Sequence, residues 1–134
     1  MSGAVAALHA AALARIAPLA GLSGVYEGPP VQAVYPYAIV EVGAEADWGH
    51  KSGTGSELRL AVIVRDAGEA PRRLHGLLDS ARAALEAGLA VAGWQLVTLA
   101  WQRTHSARES RPAIGADAVW AGAVEFRARL LEAP

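Results

Sequence analysis

Four histidines, His9, His50, His75 and His105, are the side chains best suited to proton transfer near neutral pH. None lies three or four residues from another, so the chain has no helical histidine pair for a metal. His9 and His75 fall on predicted helices beside polar neighbours and read as surface or boundary residues. Asp47 with His50, and His105 with Ser106 and Glu109, can be written as proton-transfer or nucleophile–base sets. Such neighbours arise readily by chance, and each set works only if the fold closes it. Gly53-Thr54-Gly55-Ser56 is glycine-rich but lacks the Gly-Lys-Ser/Thr ending of a phosphate loop, and it leads into a strand. Arg103, Arg108 and Arg111 with His105 form a basic cluster suited to phosphate or an acidic partner. The same cluster reads equally well as a solvated hairpin tip. Trp48 and Trp101 bring aromatic surface to polar stretches, and tryptophan and arginine are enriched at binding hot spots. The pattern predicts contact, not catalysis, with no catalytic residue, metal site or cofactor. Trp48, His50, Lys51, Arg103, His105, Arg108 and Arg111 are the candidate partner-interface residues.

The chain has 134 residues, the usual size of one domain, and residues 1–134 are expected to form a single one. The absence of cysteine excludes disulfides and thiolate metal sites. Twelve basic and 13 acidic side chains nearly cancel, so no bulk attraction to nucleic acid or membrane is implied. Charged residues make up only 19% and hydrophobic ones 53%, much of it alanine. A surface this poor in charge predicts burial against partners, and hence oligomerisation. No apolar run approaches the roughly 20 residues of a membrane helix. The first residues lack the basic region of a signal peptide, so a cytoplasmic protein is expected.

Residues 57–88 organise the rest. Leu58, Leu60, Val62 and Val64 alternate with Glu57, Arg59 and Arg65, the period of a strand with one face on a core. Leu74, Leu77, Leu78, Ala81 and Leu85 then recur at helical spacing, with Pro71 at the helix start and Gly88 at its end. Alanine-rich residues 2–17 predict a first helix with a stripe of Val5, Leu8, Ala12 and Ile16. Residues 24–28 predict a short extended piece and 37–44 a strand. Residues 94–104 and 118–130 predict two more strands. In the last, Trp120, Val124, Phe126, Ala128 and Leu130 share one face and Glu125, Arg127 and Arg129 the other. The order implies an α+β domain: an antiparallel sheet of about four main strands, with two helices on one face. Strands 37–44 and 57–66, and 94–104 and 118–130, read as hairpins with long loops at 45–56 and 105–116. Loops of that length in that place usually carry function.

Several stretches together resemble the small phage tail-completion or tail-terminator proteins, also found in prophages and gene transfer agents. These are the alanine-rich first helix, Gly-Val-Tyr-Glu-Gly-Pro-Pro at 24–30, Tyr-Pro-Tyr-Ala-Ile-Val at 35–40 and Glu-Leu-Arg-Leu-Ala-Val-Ile-Val at 57–64. The helix at 73–85 and the closing segment at 120–130 complete the match. The resemblance implies a tail-terminator-like fold and a structural, non-enzymatic protein. It implies a homo-oligomeric ring, usually a hexamer, that caps the tail tube and joins it to the neck. The partners would be further copies, the tail tube protein and neck or head-completion proteins. DNA would cross the channel without specific binding, and no membrane is involved. The protein would lie in the bacterial cytoplasm during assembly and then in the particle. A head-side neck adaptor or stopper is the neighbouring reading. A small-molecule-binding or hydrolytic α+β domain is the alternative from another class.

Overall fold

The computed structural model describes residues 3–110 and 117–134. Among these it forms helices α1 (Ala4–Ile16) and α2 (Arg72–Glu86). The strands are β1 (Gly24–Tyr26), β2 (Tyr37–Asp47), β3 (Gly55–Gly68), β4 (Trp94–Ser110) and β5 (Ala118–Glu132). They make one sheet in the order β1-β2-β3-β5-β4. Only the short β1–β2 pairing is parallel. The fold is α+β, as the element order predicts.

Alternation decides which face is dry. Leu58, Leu60, Val62 and Val64 of β3 and Phe126, Ala128 and Leu130 of β5 are fully buried, with Val124 nearly so. Leu74, Leu77, Leu78, Ala81 and Leu85 of α2 and Leu8, Ala12 and Ile16 of α1 close over them as one cluster. Val5 departs from its predicted stripe and is exposed, while Ala4 and Ala7 are buried beside Leu8. Small residues let α1 approach β2 closely enough for His9 Nε2 to reach the Val40 carbonyl at 2.7 Å. Past Ile39, β2 has no β1 partner, so this contact satisfies an edge carbonyl.

Helix α2 starts without a side-chain cap and with two arginines in its first turn, which the helix dipole disfavours. Asp66, buried near the end of β3, answers the second problem. It accepts hydrogen bonds from Arg73 of α2 and from the Ala67 N–H. The Arg73 guanidinium is the main cause that holds the Asp66 carboxyl below its usual range, opposed by burial. A carboxyl so depressed contributes stability at neutral pH and loses it as pH falls through its folded-state value. Asp66→Asn is therefore expected to cost about 1–3 kcal/mol at pH 7. The gap from wild type should narrow as the pH drops below about 4, as read by urea denaturation across pH. A gap independent of pH would refute this role.

Both predicted long loops are shorter than expected, and for the same reason. Strand β2 continues to Asp47 past a register shift between Gly43 and Ala46, and β3 begins at Gly55. The segment between them is a closed hairpin tip. Trp48 N–H donates to the Gly55 carbonyl, and His50 and Gly53 exchange two backbone bonds around Lys51-Ser52. Likewise β4 runs on to Ser110, so His105 and Arg108 are strand residues and not loop residues. Polar side chains cost nothing on an edge strand, whose backbone is paired by β5 on one side and wet on the other. Polarity at 105–110 therefore does not end the strand. Arg111 and the rest of the expected loop, 111–116, lie outside the described residues.

Candidate partner interface

The helices take one face of the sheet and leave the other uncovered. Odd-numbered positions of β3 and β5 populate that open face, and cross-strand register brings their charges together. At one end Glu57 accepts from Arg129 at 2.9 Å and lies 3.7 Å from Arg127. In the middle Glu125 accepts from Arg103, with His105 Nε2 3.7 Å away. At the other end Arg65 donates to Glu109 and to the Tyr37 hydroxyl. Arg103 is the main cause of a lowered Glu125 carboxyl, and Glu109 the main cause of a raised Arg65. Between these pairs Ala61, Ile63, Ala107, Ala121 and Ala123 line an open trough of about 470 Å³. The open face is thus apolar in its centre and mostly ion-paired around it, with Glu41 and Arg59 exposed and without an ion pair among the described residues.

The two hairpins point to opposite ends of this sheet. The β2–β3 tip lies beyond the Gly55↔Leu131 pair, where β5 ends. The β4–β5 connection leaves from Ser110↔Val119, where β5 begins. The sequence-predicted residues are divided accordingly. Half-buried Trp48 stacks on Arg129, whose guanidinium lies 5.4 Å from the ring centroid. His50 and Lys51 are exposed at the tip, where Ser52 donates its backbone N–H to His50 Nδ1 at 3.4 Å. Arg103 and His105 converge on Glu125 of the open face. Arg108 is exposed opposite Trp120, nearer the far end. Trp101 faces the helix side, where the Arg82 guanidinium covers its ring at 3.8 Å. No single site unites these residues. Of the carboxylates that organise them, Glu57 and Glu125 stood in the alternation without a chemical label, and Glu109 was grouped with His105 and Ser106 in an expected loop.

A nucleophile–base contact does form across elements. Ser106 Oγ lies 3.4 Å from His75 Nε2, the outer limit of a hydrogen bond. Asp79 lines the same shallow depression of about 260 Å³. No hydrogen bond joins Asp79 to His75 among the described residues, so the imidazole lacks the third group that would orient it. Both Ser106 and His75 are exposed. Among the described residues no three acidic or histidine side chains converge to hold a metal ion. No helix among them is long and apolar enough to cross a membrane.

Neither a family model nor a curated protein matches the chain. Among solved structures, a chain of the virion of a native gene transfer agent particle aligns with it at a TM-score of 0.73 and 27% identity. The alignment covers 97% of this chain and 99% of that one. The fold is similar to that of a gene transfer agent virion chain. Near-complete coverage in both directions means that the likeness concerns the whole subunit and not a shared motif. It supports a phage-like structural protein that assembles with other virion components.

Proposed function

We propose that this chain is a single-domain tail terminator, a ring-forming subunit that caps a tail tube and joins it to the neck. The observation that carries the reading is the full-length likeness to a gene transfer agent virion chain. The geometry suits the role. A subunit seated between a tube and a neck needs contacts at two separated ends, and the hairpins supply one at each end of the sheet. Trp48, His50 and Lys51 would serve one end and Arg108 and Arg111 the other, with Arg103 and His105 on the face between. Paired arginines on a near-neutral chain hold DNA weakly, which suits a channel that DNA must cross.

Deletion of the gene in a producing strain tests this. A terminator's loss leaves tubes longer than normal and heads without tails. Tails of normal length that merely fail to join heads would point to a head-side adaptor instead. Normal particles without the protein would overturn the reading.

A further inference from the structure

The connection from β1 to β2 exposes the two most accessible large hydrophobics of the described chain, Val31 at 103% and Val34 at 73%. Residues 28–36 carry no charge, and Pro29, Pro30 and Pro36 stiffen them. An exposed apolar segment that is already stiff loses little conformational entropy when it docks. The same molecule carries an empty counterpart, the trough of Ala61, Ile63, Ala107, Ala121 and Ala123 on the open face. Most of its charged walls are paired, Arg103 with Glu125 and Glu109 with Arg65, while Glu41 is exposed at its edge and has no ion pair among the described residues. An uncharged guest covers the paired walls without stranding an ion and leaves exposed Glu41 to water, whereas a charged guest would have to break pairs.

We propose that residues 29–34 of one copy dock into the open-face trough of the next copy. Arm and trough are different patches of one chain, so the contact is head-to-tail and repeats until a ring closes. The open face alone is somewhat too small for a stable contact. Four strands at about 4.8 Å spacing and roughly ten residues at 3.4 Å give a face of about 650 Å². A stable partner contact needs about 800 Å² per side, which the arm would help to supply. One alternative route between copies, edge-to-edge pairing along β4, is obstructed. Register shifts at Leu96/Thr98, Trp101/Arg103 and Arg108/Ser110 break the edge into short runs. Closure into a ring rests on the terminator reading, but the arm–trough contact does not.

The absence of native cysteine gives a direct test. Val31→Cys in a tagged chain is mixed with Ala121→Cys in an untagged chain under mild oxidation. No chain then holds both thiols, so any mixed disulfide joins two copies. The expected yield exceeds by roughly fivefold that of Val31→Cys mixed with Ala83→Cys on the exposed side of α2. Equal yields overturn the contact. Native mass measurement on the double variant Val31→Cys/Ala121→Cys separates the two ideas. Linked chains without a fixed size keep the contact and sink the ring. A discrete ring without the arm–trough disulfide keeps the ring and sinks the contact.

Discussion

Replacing Gly122 by valine is expected to cost about 3 kcal/mol of folding stability, the upper end of what overpacking exacts. Gly122 sits on β5 beneath α2. A Cβ there would lie 2.7 Å from Leu78 Cδ1, 2.8 Å from the His105 carbonyl oxygen and 3.0 Å from Ser106 Cβ. The first neighbour is a buried helix side chain with little room to turn away. The second is backbone of the paired strand, which cannot yield without breaking the ladder. Gly122→Ala meets the same atoms and is expected to cost about 1–2 kcal/mol. Gly76, on the exposed side of α2, meets nothing within 4 Å. Gly76→Ala should therefore stabilise by about 0.5–1 kcal/mol, because a mid-helix glycine gives up more backbone freedom on folding. Urea denaturation of the three proteins reads both signs. Gly122→Ala at parity with wild type would show that α2 docks less tightly on β5 than described.

Much of this packing was legible because side-chain period and burial coincide where one face is dry. The alternation at 58–64 and 124–130 and the leucine stripe of α2 name the core almost residue by residue. Strand β4 was only half legible. Its three register shifts interrupt the period of two, and its outer edge faces solvent, so its polar second half reads like loop. The placement of β5 between β3 and β4 depends on contacts remote in sequence, for which no local residue speaks. The candidate interface was legible as residue types and not as places. Arg103 and His105 were marked as one end of a basic cluster, but Glu125 of the neighbouring strand makes them part of a neutral face. Val31 and Val34 drew no notice beside three prolines, since exposure of an aliphatic side chain shows only once the fold is built.

Those placements change what a basic cluster means here. Arg65, Arg103 and Arg129 of the open face are bound to carboxylates across strands, and Arg129 also stacks on Trp48. They stiffen the sheet and hold the base of the β2–β3 tip. A substitution such as Arg129→Ala would release Trp48 and leave Glu57 only its longer contact with Arg127, so its effects on fold and on contact could not be told apart. Changes confined to the tip avoid that confusion.

Removal of the β2–β3 tip is expected to abolish the joining of tail to head while leaving the subunit folded. Asp47 and Ser56 are a register pair, so residues 48–55 can be replaced by Asn-Gly, which closes a two-residue turn between them. The replacement leaves the main core untouched, because Gly55, at the Leu131 end of β5, is the one buried residue among 48–55 and has no side chain. The native tip already ends in a two-residue turn at Lys51-Ser52, so exchanging those two for Asn-Gly serves as a control that keeps Trp48. That control should assemble normally. Trp48→Ala should fall between, costing at least about 2 kcal/mol of association, roughly 30-fold, if the ring is an anchor for the adjoining component. Loss of its stacking on Arg129 contributes about 0.5–1 kcal/mol to the fold alone, too little to imitate that defect. The three variants are compared by thermal unfolding and by electron microscopy of particles from a complemented deletion strain. Particles of normal length and normal joining from the tip-less variant would remove this end of the sheet from the interface.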